Sequence, residues 1–161
     1  MPHSAWVETR IRALGLEPHP EGGFYREVYR SDLTLPLPRG KRSVLTAIHF
    51  VLPPGGISRW HRVRADECWI AVDGDPVELA TLNDVGKVSA ERLGRDLLAG
   101  EQAIVVVPAG LWQAARCAGQ TGSHVVCTVA PGFDFADFTM AAAGELAARF
   151  PESAGEISRF S

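Results

Sequence analysis

The chain has 161 residues with a formal net charge of -3, and it is 46% hydrophobic and 22% charged. This ordinary globular balance excludes a disordered protein, and the acidic charge gives no electrostatic case for a nucleic-acid partner. No apolar run approaches the length of a membrane-spanning helix, so we expect no membrane partner. Since the length fits about one domain, we predict a single domain over residues 1–161 with its core at about 14–150.

The N-terminus and the cysteines indicate where the protein resides. The N-terminus lacks the basic start and the apolar middle of a secretory signal, which predicts a cytoplasmic location. Cys68, Cys117 and Cys127 have no C-x-x-C spacing, and each lies in an apolar run. We therefore predict buried core thiols rather than disulfides or a zinc-thiolate site.

Helical periodicity occurs only near the two ends of the sequence. Ser4 is placed to cap a first helix that ends at Gly15, and residues 141–150 favour a second helix that Pro151 stops. Residues 32–42, with two prolines and a glycine, predict a surface loop. Short β-rich runs between turn signals cover residues 24–29, 44–52, 67–72, 77–82, 104–107, 112–117 and 123–129. This spacing predicts an all-β sandwich or barrel with peripheral helices.

The densest polar chemistry lies in residues 56–74. Residues of the same parity share one face of a strand, so His61 and Val63 point the same way. A turn near residues 64–66 brings Glu67 back on a facing strand. A histidine and a carboxyl group inside an apolar cavity form a candidate general-base pair or part of a metal site, since burial and a neighbouring charge tune their pKa values.

This segment resembles the first motif of the cupin superfamily, G-x5-H-x-H-x3-or-4-E-x6-G. His61 and Glu67 stand at matching positions between the two motif glycines, with Val63 where the second histidine belongs. The second motif centres on P-x-G-x2-H, and residues 108–113 are similar to it except that Gln113 replaces the histidine.

Residues 19–27, 58–67 and 129–138 resemble one branch in particular, the small bacterial and fungal cupin-like family of unknown function. The resemblance implies an all-β fold, a cupin jelly-roll β-barrel with short N- and C-terminal helices. It also implies a ligand pocket inside the barrel and pairing into a homodimer. We therefore expect a small molecule and a second copy of the chain as partners.

The departures from the superfamily pattern argue against a tight metal centre. Members that bind a metal use three histidines and one glutamate, whereas only His61 and Glu67 stand at those positions here. The amide oxygen of Gln113 is a poor ligand for zinc or iron. We expect no cofactor; a divalent metal, if present, would bind weakly through His61, Glu67 and Gln113, with His49 as a further imidazole if its strand is adjacent.

Other residues are candidates for the pocket wall. Tyr25 follows a Gly-Gly pair and can act as an acid opposite a base, or simply as a strand aromatic. Trp69 shares the parity of Glu67, and Phe133 and Phe135 are placed to form a lip over the barrel mouth. The alternation does not decide whether His49 faces inward. The candidate ligand-binding residues are His49, Trp69, Gln113, Phe133 and Phe135, and the candidate catalytic residues are His61, Glu67 and Tyr25.

The leading functional hypothesis is a metal-independent enzyme of the epimerase or isomerase type. His61 would be the base, oriented or charge-balanced by Glu67, in a proton transfer next to a carbonyl of a small polar metabolite such as a modified sugar. Loss of the metal set with retention of the histidine resembles the sugar-epimerase side of the superfamily. The alternatives are a non-catalytic ligand-binding cupin, a metal-dependent dioxygenase or isomerase, and a purely structural barrel.

Overall fold

Strands dominate the computed structural model, which describes residues 4–161 of the chain. The strands in that range are β1 (Glu17–Pro18), β2 (Phe24–Arg30), β3 (Thr34–Leu37), β4 (Gly40–Ser43), β5 (Thr46–Leu52), β6 (Ile57–Val63), β7 (Asp66–Gly74), β8 (Val77–Leu82), β9 (Val88–Leu93), β10 (Ile104–Val107), β11 (Trp112–Cys117), β12 (Ser123–Ala130) and β13 (Phe138–Met140). The helices are α1 (Ala5–Leu14), α2 (Glu145–Arg149) and α3 (Ala154–Ser158), with 3-10 turns at Leu97–Ala99, Phe135–Asp137 and Pro151–Ser153. The all-β prediction with short terminal helices is confirmed.

Two antiparallel sheets face each other across the main core. One has the strand order β1-β2-β5-β12-β7-β10, and the other has the order β13-β6-β11-β8-β9. Buried side chains from both sheets, among them Phe50 and Trp69 from one and Leu79 and Ala115 from the other, form one cluster. This arrangement agrees with the jelly-roll barrel expected from the sequence.

Helix α1 covers the part of the outer face of the six-stranded sheet that strand β5 forms. The side chain of Ser4 accepts a hydrogen bond from the backbone N–H of Val7, and Gly15 ends the helix in the left-handed conformation at φ 60°. Both helix ends therefore lie where the capping residues predict them. Val7 is fully buried and packs in one cluster with Leu16 and Val51.

The C-terminal segment departs from the sequence prediction. Helix α2 ends just before Pro151, as predicted, but it is shorter than the predicted 141–150, and Pro151 starts a 3-10 turn that leads into the additional helix α3. Proline fits the first position of a helical turn because that position needs no N–H donor. Leu146 and Ile157 pack with Trp60 on the outer face of the five-stranded sheet.

Residues 32–42 contain a hairpin rather than the predicted irregular loop. Strands β3 and β4 pair in register from Thr34 opposite Ser43 to Leu37 opposite Gly40. Pro36 is tolerated because a two-stranded ribbon leaves alternate N–H groups outside the ladder.

Within residues 4–161, none of the helices combines the length and the apolar character that crossing a bilayer requires.

The turn between β1 and β2, residues 19–23, lies against strand β6 and connects the two sheets. The backbone N–H of Arg59 donates to the carbonyl of Glu21 at 2.9 Å. Gly22 has φ +113°, and a Cβ atom there would collide with the carbonyl oxygen of Ile57. Only glycine permits both this backbone conformation and this close approach.

We therefore expect Gly22→Ala to lower the free energy of unfolding by more than about 3 kcal/mol, since strain and collision add. Gly55→Ala is the matched control, because Gly55 also has a positive φ, +70°, but its Cβ would meet no atom within 4 Å. Strain alone costs the control about 1 kcal/mol. Denaturant unfolding measures both values, and equal losses would contradict the close approach.

Candidate functional site

A cavity of about 300 Å³ lies between the two sheets. This volume stands at the small end of the roughly 300–1,000 Å³ that is usual for ligand pockets. Its wall combines glutamate, histidine and tyrosine side chains with apolar and aromatic ones. Among the residues predicted from the sequence, the structure places His61, Glu67, Tyr25, Phe133 and Phe135 on this wall.

His61 on β6 is 2% exposed and presents one ring nitrogen to a carboxyl group. Its Nδ1 atom lies 2.8 Å from the carbonyl oxygen of Arg59, and since a carbonyl only accepts, Nδ1 carries the proton. Nε2 is therefore the basic atom, and it lies 3.2 Å from Oε2 of Glu21. Burial lowers the pKa of His61, so the imidazole is neutral at pH 7.

Glu21 is the site residue that the sequence interpretation missed. It is 6% exposed, and burial raises its pKa to about 8. Ser58 Oγ donates to Oε1 of Glu21 at 2.8 Å, while Oε2 faces His61. A carboxyl with this pKa is mostly protonated at pH 7, so it donates its proton toward Nε2 of His61. A glutamate in a Pro-Glu-Gly-Gly turn ordinarily suggests a solvent-exposed residue; only its place in the segment that resembles the family could have pointed to it.

Glu67 faces the cavity from the opposite sheet. Gln113 Nε2 donates to Oε2 of Glu67 at 2.5 Å, and Trp69 Nε1 donates to Oε1 of Gln113 at 2.9 Å. Burial raises the pKa of Glu67 to about 7, and the charge of His61 opposes this shift. His61 and Glu67 therefore converge on one cavity from facing strands, but the carboxyl group in direct contact with His61 is that of Glu21.

Trp69 and Gln113 lie behind Glu67 instead of on the cavity wall. Each is 1% exposed, and neither belongs to the residues that line the cavity. We expected both residues to contact the ligand. The structure does not place them on the cavity wall, because the Gln113 amide is turned toward Trp69 and Glu67. Both residues hold the Glu67 carboxyl in position.

Tyr25 on β2 lines the cavity, but its hydroxyl is already engaged. It interacts with the carboxylate of Glu17, and burial together with this charge raises the pKa of Tyr25. The ring packs edge-on against His19 with centroids 4.5 Å apart. Tyr25 therefore holds its proton more firmly than an ordinary tyrosine. Its neighbour His19 is neutral at pH 7, because burial and the charge of His61 lower the pKa of His19 to about 4.

His49 lies on the outer face of the six-stranded sheet, which corrects the expectation that it lines the pocket. Its neighbours on β5, Ile48 and Phe50, point into the cavity, and alternation turns His49 the other way. Its Nδ1 atom is 2.9 Å from Nε2 of His124 on the adjacent strand. The His49 ring therefore does not line the cavity.

Three phenylalanines, Phe133, Phe135 and Phe138, form an aromatic lip on the cavity. Their ring centroids are 5.0–5.9 Å apart. Phe138 was not singled out from the sequence. Asp137 anchors this segment, since it accepts hydrogen bonds from Arg42 Nε at 2.8 Å and from Arg42 Nη2 at 3.0 Å. The hairpin that carries Arg42 therefore holds the lip in place.

The donor set does not fit a metal centre. Val63 offers no ligand atom, and the Oε1 atom of Gln113 accepts from Trp69 instead of facing the cavity. Within residues 4–161, no group of three or more histidine, cysteine, aspartate or glutamate side chains is arranged to hold a metal ion. At the positions of the cupin motifs only His61 and Glu67 can donate to a metal, fewer than the three protein ligands that a catalytic zinc site needs, while Glu21 is in contact with both His19 and His61.

Comparisons with known proteins agree with this architecture. A sequence model of the family described as "Cupin superfamily (DUF985)" matches residues 8–141. No curated protein matches the sequence.

Among solved structures, the chain is similar to a protein from Shewanella oneidensis, with 33% identity, a TM-score of 0.89 and coverage of 100% of this chain and 98% of that one. It is also similar to a hypothetical protein from Leishmania major, with 30% identity, a TM-score of 0.88 and coverage of 96% and 97%. Oxalate decarboxylase from Bacillus subtilis shares the fold alone, at 19% identity and a TM-score of 0.56, and 89% of this chain spans 36% of that one.

The raised pKa of Glu21 predicts a pH-dependent stability. Its value of about 8 in the folded protein exceeds the ordinary 4.5, so the stability that it contributes is complete below pH 4.5 and is lost as pH rises through 8. Glu21→Gln does not titrate. Between about pH 5 and pH 9, the difference in unfolding free energy should therefore shift in favour of the variant by on the order of 2 kcal/mol.

Denaturant unfolding at the two pH values measures this shift. Glu152→Gln, at an exposed glutamate of the C-terminal segment, is the control and should show no such change. A difference between Glu21→Gln and the parent that is independent of pH would contradict the burial of a protonated carboxyl.

Proposed function

The chain belongs to the cupin superfamily (DUF985), and on this premise we propose that its cavity catalyses an isomerisation by proton transfer. Membership supports binding of a small molecule inside the barrel. The observation that carries the proposal is the contact between Nε2 of His61 and the carboxyl of Glu21, with Glu67 facing them across the cavity. These groups can take up and return a proton near neutral pH.

The base in this proposal is His61, assisted by Glu21 rather than by Glu67 as the sequence suggested. Glu21 holds its proton toward Nε2, so the active form is the one in which Glu21 has released that proton to solvent and Nε2 is free to act as the base. His61 then removes the hydrogen from the carbon next to a carbonyl, and the electron pair of that C–H bond moves into a new carbon–carbon double bond. The backbone contact at Nδ1 fixes the ring in the orientation that this requires.

The carbonyl oxygen must gain a proton in the same step, and Glu67 is the better donor. Its pKa of about 7 leaves a substantial protonated fraction at pH 7. Tyr25 is the weaker candidate, because the Glu17 carboxylate retains its proton. A proton then adds to the same carbon from the opposite face, or to the neighbouring carbon, while an enol oxygen gives its proton to the Glu67 carboxylate, so that a carbonyl forms again and no atom is gained or lost. We propose a small polar metabolite, such as a modified sugar, as the substrate.

Hydrogen exchange tests this proposal without a known product. In heavy water, an active enzyme replaces the hydrogen next to the carbonyl of its substrate by deuterium, which NMR detects in a panel of aldoses, ketoses and amino sugars. His61→Gln should slow the exchange by at least about 100-fold. His49→Gln is the matched control, because His49 lies outside the cavity, and it should retain the rate of the parent.

Full exchange by His61→Gln would show that the base is another group. A ligand that binds and is recovered without deuterium would instead indicate the non-catalytic binding protein considered from the sequence. The cytoplasmic location and the single domain over residues 1–161 stay predictions.

We also propose that the chain forms a homodimer through the outer face of its six-stranded sheet. Ile104 and Val106 on β10 are 54% and 57% exposed, and Val72 on β7 is 39% exposed. Ile104 pairs with Ile70, so apolar side chains of adjacent strands form one patch on this face. A two-fold axis would bury the same patch on both copies.

Light scattering should therefore give twice the chain mass of 17.4 kDa. Val106→Lys should shift the protein toward the monomer, because a charge in the centre of an apolar interface is costly to bury. Val85→Lys is the control, since Val85 is an exposed valine at 85% that lies in a turn away from the patch. A monomer for the unchanged chain would contradict the dimer.

A further inference from the structure

The cavity wall is rich in carboxyl groups. Four glutamates line it, and no lysine or arginine is among the described lining residues. Glu27 is already compensated, because Arg30 donates to both of its carboxylate oxygens at 2.8 Å. Glu17, Glu21 and Glu67 have no such partner on the wall, and we name these three residues the acidic wall.

The arginines near the mouth are occupied by other groups. Arg30 also donates to the backbone carbonyl of Phe133 at 3.0 Å. Arg39 and Arg42 both bind the carboxylate of Asp137. An anionic substrate such as a phosphate or carboxylate would therefore meet carboxyl groups without a guanidinium to bind it, so the cavity disfavours anions.

The aromatic lip supplies a second feature that favours positive charge. Its three rings meet at steep angles of 84°, 66° and 80°. The face of an aromatic ring attracts an ammonium group, and the attraction strengthens when water is excluded. Phe135 is 53% exposed, so its ring is accessible to a ligand that enters from solvent.

Among the described lining residues, no side chain that is positively charged at pH 7 offsets the acidic wall. Burial raises the pKa values of Glu21 and Glu67, and the charge of Glu21 raises that of Glu67 further. The two neighbouring histidines, His19 and His61, are neutral at pH 7 and do not compensate for ionised carboxyls. A cation in the cavity would supply the missing charge.

We propose that the cavity takes a ligand with an organic ammonium group, held between the aromatic lip and the acidic wall. This inference rests on the proposed function, since it takes the cavity as the substrate site and adds the charge of the substrate. The cavity volume of about 300 Å³ limits the ligand to a small molecule, such as an amino sugar or another amine with a carbonyl group. A metal ion is a poorer complement, because the described side chains do not provide a coordination set.

Three probes of the same shape and different charge test the inference. Choline is a permanent cation, 3,3-dimethyl-1-butanol is its neutral analogue, and 3,3-dimethylbutanoate is a related anion. At about pH 8, calorimetric or ligand-observed NMR titration should show choline binding about tenfold more tightly than the alcohol, with the anion weakest.

Two variants assign the binding to this site. Glu17→Gln, which leaves both proton-carrying glutamates in place, should reduce choline affinity toward that of the alcohol, and Phe135→Leu should reduce it about threefold or more while leaving the alcohol unaffected. The exposed position of Phe135 makes the second variant safe for folding. Asp84→Asn removes the same charge from an exposed turn and is the control for net charge.

Each outcome decides the inference. Equal binding of choline and the alcohol, stronger binding of the anion, or no binding of choline up to about 10 mM would overturn it. Zn²⁺ or Mn²⁺ that binds alone and displaces choline would also overturn it, since the complement would then be a metal. Deuterium exchange into neutral sugars without choline binding would leave the proposed function intact, whereas choline binding without any exchange would refute only the proton-transfer function.

Discussion

The contact between Glu21 and His61 depends on one turn, and the candidate site depends on that contact. Glu21 reaches the barrel interior only because Gly22 adopts a positive φ and lies directly against the backbone of β6. Arg59 secures the turn from the same strand that carries His61. The backbone segments that carry Glu21 and His61 are therefore hydrogen-bonded to each other. This bond fixes the separation of the carboxyl and the imidazole better than flexible side chains alone would.

Burial of carboxyl groups is costly, and the fold compensates for it with neutral donors. Ser58 donates to Glu21, and Gln113 donates to Glu67. These donors stabilise the carboxyl groups without supplying a positive charge, so the pKa values stay near neutrality instead of falling as they would beside arginine. Carboxyl groups held in this way are suited to exchanging protons near neutral pH, as the proposed function requires.

Patterns of alternation and turns predicted most of the fold. Strands β8, β10 and β11 have the ends that the sequence indicated, because each is an apolar run that stops at a turn. The same parity rule placed His61 and Glu67 on facing strands. It could not identify Glu21, since a turn residue has no strand face, and it could not show that Trp69 and Gln113 bond to each other behind Glu67. Those two facts depend on tertiary packing.

At positions 63 and 113 this chain lacks the histidine of the cupin motifs, and the residue present has another structural role. Gln113 uses both ends of its amide to connect Trp69 with Glu67, a bridge that a histidine bound to metal would not make. Val63 packs with Val129 beside Phe133 and Phe138, and so supports the aromatic lip. The substitutions therefore do more than remove ligands: one holds a carboxyl in position and the other supports an aromatic surface. The proposed proton transfer would then use a cavity in which these two motif positions serve packing and hydrogen bonding rather than metal ligation.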